Sequence, residues 1–128
     1  MHTSPGVGEW SDWGHARYRL EVLDDCAIVT AVGEVDKHTA VGLGNAVKLG
    51  LRSCPHLILD MTSVTFIDST GLGALVSARR QSYEVGGNLS LVSPPAAVCR
   101  ILGRTQLERS FPIYPSLGQA LTSARTSH

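Results

Sequence analysis

The chain has no surplus of charge of either sign. Eleven Lys and Arg balance eleven Asp and Glu over 128 residues, so composition supplies no electrostatic drive toward nucleic acid or an anionic membrane. It has no apolar run of membrane-spanning length. Met1-His2-Thr3-Ser4-Pro5-Gly6 lacks the basic and apolar regions of a secretory leader, and a cytoplasmic location is expected. Cysteine is scarce and odd in number. Cys26, Cys54 and Cys99 stand far apart among apolar neighbours, the pattern of free buried thiols in a reducing compartment. With 43% hydrophobic and 17% charged residues the chain is neither disordered nor coiled, and its length suits one domain with its own core.

Catalytic constellations are missing too. His2, His15, His38, His56 and His128 never fall at ligand spacing, and no cysteine pair joins them, so the sequence predicts no metal site and no cofactor. Gly42-x-Gly44 and Gly71-x-Gly73 begin like a dinucleotide fingerprint, but Val47 and Val76 occupy the third glycine position. Close helix packing is the simpler use of those glycines. A hydrolase built on Ser69 would need glycine two residues before it as well as after, and Ile67 stands there. Only His128 follows Ser69, at the end of the chain, where it orients nothing. No catalytic residue and no enzyme activity are expected.

What is present is an alternation of strands and helices. Residues 1–16 lack periodicity and are expected as a flexible arm, in which Trp10 and Trp13 either cover an apolar patch or anchor a partner. Tyr18–Leu23 and Cys26–Val32 read as a hairpin around Asp24-Asp25. Ala40, Leu43, Val47 and Leu51 keep helical spacing. His56–Met61 reads as a short strand buried on both faces and stopped by Thr62-Ser63. Leu72, Leu75, Val76, Arg79 and Tyr83 mark an amphipathic helix ending at Gly86-Gly87. A strand at Leu89–Val92, a short helix at Ala97–Leu102, a strand at Phe111–Tyr114 and a helix at Ser116–Ala124 complete the chain. The order β-β-α-β-α-β-α-β-α predicts a single α/β domain, a mixed but mostly parallel sheet with helices packed on it.

The most informative stretch is Phe66-Ile67-Asp68-Ser69-Thr70-Gly71-Leu72-Gly73, an apolar run that ends in an acid and two hydroxyls before a small-residue helix start. There the helix dipole and unpaired N–H groups favour negative charge. Ser69 so placed suits phosphorylation, which adds about −1.5 to −2 charges, and equally suits an N-cap. Asp36 likewise reads as a cap for the helix that follows it. Gly71, Gly73 and Ala74 permit either close helix packing or the approach of a partner.

Taken in order, these segments resemble the STAS domain of bacterial anti-sigma factor antagonists. Gly33-Glu34-Val35-Asp36 with Thr39-Ala40 is similar to the family's Gly-Glu-Leu-Asp…Thr-Ala segment. Leu57-Ile58-Leu59-Asp60 and Val64 through Leu75 resemble its signature almost residue for residue. Leu89–Pro94 and Phe111–Leu121 follow its closing pattern, and Thr105-Gln106-Leu107 replaces a common Thr-Gly-Leu. The resemblance implies a STAS domain over residues 17–125, monomeric when free. It also implies that Ser69 is the phosphoacceptor, with Thr70 as the fallback, and that Asp36, Asp68, Ser69, Thr70, Gly71 and Leu72 contact a partner. The implied partners are an anti-sigma factor with serine-kinase activity, which phosphorylation releases, and a PP2C-type phosphatase; no nucleic acid and no membrane are implied. The alternative is a STAS adaptor subunit of a lipid-transport or stress-signalling complex, without switching.

Overall fold

The computed structural model describes residues 7–105 and 111–126. Six strands lie in one sheet in chain order: β1 (Trp10–Asp12), β2 (Ala16–Val22), β3 (Ala27–Val35), β4 (His56–Ile67), β5 (Asn88–Val92) and β6 (Ile113–Tyr114). β1, β2 and β3 pair antiparallel, and β3 through β6 pair parallel. The parallel strands are joined by α1 (Ala40–Ser53), α2 (Ser69–Glu84) and α3 (Ala96–Arg104), and α4 (Leu117–Thr126) follows β6. The sheet grows in one direction from β3 to β6, so crossovers of one hand must all fall on one face. Leu43 and Val47 of α1, Leu75 and Ala78 of α2, and Val98 and Leu102 of α3 accordingly share a core with Val29, Leu59 and Leu91. On the opposite face Ala120 of α4 packs with Cys26, Ile28, Ile58 and Val92. Apolar residues on both faces of β3, β4 and β5 are what a doubly covered parallel sheet requires.

The α/β alternation expected from the sequence is observed, with one strand more. Residues 10–12, expected within a flexible arm, form β1, with Trp10 opposite Arg19 and Asp12 opposite Arg17. Trp10 sits against the guanidinium groups of Arg17 and Arg19, 4.6 and 4.7 Å from its ring centroid, as cation–π contacts. Trp13 is half-buried against the core and covers Gly42 of α1, where a Cβ would collide with the indole. Periodicity could not reveal a three-residue strand held by aromatic contacts.

β4 also runs past its expected end. Thr62-Ser63 reads as a stop, yet the strand continues to Ile67 because β4 carries two extra residues against β3, between Thr30 and Val32 and between Gly33 and Glu34. Asp60 Oδ1 accepts from the Thr62 N–H at 3.0 Å and from its hydroxyl at 2.6 Å, holding the bulge. The buried face of α2 differs from the expected stripe as well: Gly71, Leu75, Ala78 and Ser82 are buried, whereas Val76 and Tyr83 are exposed. Small side chains let α2 lie close to its neighbours, and Tyr83 lies under Arg79 at 4.4 Å. Cys26 and Cys54 are buried thiols as expected, but Cys99 is exposed on α3. Gln106 and Leu107 lie outside the described residues. No described helix is long and apolar enough to cross a membrane.

Candidate functional site at the carboxyl ends of the central strands

The parallel strands β3 and β4 end side by side, with Val35 opposite Ile67. The next residue in each strand is an acid, so Asp36 and Asp68 emerge together at the carboxyl edge of the sheet, where open α/β sheets place their binding sites. The Asp68 N–H donates to the Val35 carbonyl at 3.1 Å and fixes this junction. Asp68 is the N-cap of α2. Its backbone is extended (φ −99°, ψ −173°), and its Oδ1 accepts from the Gly71 N–H at 2.9 Å. Ser69 is therefore the first helical residue and is relieved of capping. Both Ser69 and Thr70 are exposed, in the turn whose N–H groups have no intrahelical acceptor. Replacing Asp68 by Ala is expected to cost about 1 kcal/mol of stability, read as a lowered urea midpoint with an unchanged slope.

Gly71 sits where a Cβ would strike Ile67 and the Val35 carbonyl, so α2 can begin this close to the sheet only with glycine. Gly73 is different: it is exposed and faces open space. The other glycine pair behaves alike, Gly42 packing on Trp13 and Gly44 facing nothing within 4 Å. In each Gly-x-Gly the first glycine is a packing requirement and the second leaves a bare patch of helix. Leu72 is half-buried and packs on the core, which limits its reach outward. The exposed apolar side chains nearby in sequence are Val41, Phe66 and Val76, and sequence reasoning did not single them out for the site.

Asp36 does not cap α1 with its side chain; the cap position is Thr39, which makes no side-chain capping bond. Asp36 instead organises a turn. Its carbonyl accepts from the N–H groups of Thr39 and Ala40, and its Oδ1 accepts from the His38 N–H at 2.9 Å. The Thr39 hydroxyl accepts from the Asp36 N–H at 2.9 Å and donates to the Glu34 carbonyl at 2.7 Å. The buried Tyr18 hydroxyl donates to the Thr39 carbonyl at 3.1 Å; burial pushes this phenol above its ordinary pKa, and the nearby Asp36 charge adds to that. Tyr18 and His15 were not expected at the site. The fold brings His15 Nε2 to 2.8 Å from Asp36 Oδ2 across 21 positions of sequence, a pairing that no local motif encodes.

Partial burial alone would raise the Asp36 carboxyl, but the hydrogen bond from His15, the N–H groups of His38 and Thr39 and the His15 charge bring it below its ordinary value. A carboxyl lowered by folding stabilises the native state above its unfolded pKa, about 3.9 for Asp, and loses that contribution as pH falls through the lowered value. The difference in stability between wild type and Asp36→Asn is therefore expected to persist from pH 7 down to about pH 4 and to shrink below it. Denaturant titrations of both proteins across that range measure it.

The STAS domain family matches residues 17–120, which include strands β3 to β6, all of β2 but its first residue, and the whole acidic edge. The chain belongs to the STAS family. It is similar to the anti-sigma F factor antagonist of Paenibacillus polymyxa, 33% identical over 99 residues that cover 74% of this chain and 83% of that protein. The crystal structure of an anti-sigma factor antagonist from Mycobacterium paratuberculosis has 32% identity to it and a TM-score of 0.75, over 86% of this chain and 94% of that one. The Bacillus cell fate determinant SpoIIAA in its phosphorylated form shares the fold, with a TM-score of 0.70 at 18% identity over 83% and 97% of the two chains.

Proposed function

We infer that this STAS protein is a cytoplasmic anti-sigma factor antagonist whose binding is gated by phosphorylation of Ser69. Unmodified, it binds an anti-sigma factor with serine-kinase activity and so frees the sigma factor. Phosphate on Ser69 ends the complex, and a PP2C-type phosphatase restores it. The protein is thus the substrate of the switch and carries no catalytic group of its own. The observation that supports this reading best is the exposure of Ser69 as the first residue of α2, with Asp68 already acting as the cap.

The position explains why modification would change binding and leave the fold alone. The positive end of α2 favours a phosphate by roughly 0.3–1 kcal/mol, which offsets repulsion from Asp68 and Asp36. Against a partner surface the same phosphate would have to shed water and would meet any acid placed there. Asp36, Asp68, Thr70, Gly71 and Leu72 frame the contact in this reading, with Gly73 leaving room for a partner's backbone. Incubation with the host's anti-sigma kinase and ATP, followed by peptide mass spectrometry, tests the assignment. One phosphate on Ser69, with an unchanged far-UV circular dichroism spectrum, is expected. Phosphate on another residue, or none, would overturn it.

A further inference from the structure

Sequence spacing disperses the histidines, but folding gathers ligands that spacing cannot show. His15 lies in the turn between β1 and β2, Glu34 near the end of β3 and Asp36 just beyond it. One ligand atom from each lies within 4.8 Å of the other two. We propose that His15, Glu34 and Asp36 form a binding site for a divalent cation, with zinc as the ion that fits them.

The three ligands are held by backbone contacts as well as by their side chains. The Glu34 N–H donates to the His15 carbonyl at 2.9 Å. Gly33, at φ +97°, permits that approach, since a Cβ there would collide with the same carbonyl. The His38 N–H holds Asp36 Oδ1 at 2.9 Å, so the other oxygen, Oδ2, faces the imidazole at 2.8 Å. Two ligands bound to one zinc at about 2.0–2.2 Å and tetrahedral angles stand roughly 3.4 Å apart. A zinc ion would therefore replace the His15–Asp36 hydrogen bond with a small opening of the pair, and Glu34 would close on it by side-chain rotation.

The donor set selects the ion. One imidazole with two carboxylates suits zinc, whereas magnesium and calcium prefer oxygen ligands throughout. His38 lies edge-on to His15, with ring centroids 6.5 Å apart. His15, Glu34 and His38 are exposed, so an ion reaches the site without opening the fold. The site belongs to the free chain and depends on no partner and no phosphorylation.

Isothermal titration of the metal-stripped full chain with zinc chloride tests the proposal, using wild type, His15→Ala, Glu34→Ala and His56→Ala. The expected result is one zinc per wild-type chain, an affinity at least about ten-fold weaker in each of the first two variants and no change in His56→Ala. No saturable binding by wild type, or wild-type affinity in either His15→Ala or Glu34→Ala, would overturn it. Should a variant fail to fold, the amide NMR spectrum of the wild-type chain decides. Zinc-induced shifts centred on residues 14–16 and 33–39 support the site, and shifts centred on Cys99 or His56 overturn it.

Discussion

Ser69→Glu is expected to weaken binding to the cognate anti-sigma factor by about 2 kcal/mol or more, roughly 30-fold, while Ser69→Ala stays close to wild type. Removing the hydroxyl takes away little, because Asp68 and not Ser69 caps α2. Adding a carboxylate brings a charge to an exposed position that becomes desolvated only when a partner covers it. A group that is cheap in the free protein and costly in the complex acts on binding alone. Both variants should therefore melt within about a degree or two of wild type, as surface substitutions away from caps usually do. Glutamate carries one charge and phosphate nearly two, so the variant sets a lower bound on the effect of modification. Equal affinity of Ser69→Glu and wild type would place the contact elsewhere on the molecule.

Gly71→Val should be the most damaging single substitution at the same edge, but through folding. A Cβ at position 71 meets the Ile67 side chain and the Val35 carbonyl, and the carbonyl belongs to the strand that holds the sheet together. Overpacking against a backbone that cannot yield costs about 3 kcal/mol, which corresponds to a fall in Tm of about 10 °C for a chain of this size. Gly73→Val is the matched comparison, because nothing lies within 4 Å of its added Cβ. Valine is a better helix former than glycine, so the free protein should lose no stability. Weakened binding of the anti-sigma factor by Gly73→Val, with an unchanged melting curve, would separate the surface role of the second glycine from the packing role of the first. Similar melting curves for the two variants would contradict that division.

The alternation of strands and helices was legible because apolar runs such as Leu57–Leu59 and Leu89–Val92 are bounded by strong breakers. The helix start at Asp68–Gly71 was legible from its acid, hydroxyls and glycine. What escaped was set by tertiary contact. β1 exists because Arg17 and Arg19 of β2 hold Trp10, and three residues carry no period. The polar pair Thr62-Ser63 reads as a turn, yet inside a bulge it continues the strand. The inward stripe of α2 consists of Gly71, Leu75, Ala78 and Ser82, so its apolar residues Val76 and Tyr83 misdirect a periodicity argument. The pairing of His15 with Asp36 depends on sheet register and on Gly33, and composition carries no trace of it.

The most direct test of the switch is the affinity of purified anti-sigma factor for this protein in three states: unmodified, phosphorylated to completion by the kinase, and phosphorylated then treated with a PP2C-type phosphatase. Tight binding, loss of binding and recovered tight binding, in that order, are the expected results. The same affinity in all three states would contradict the switch and leave a STAS adaptor without phosphoryl control.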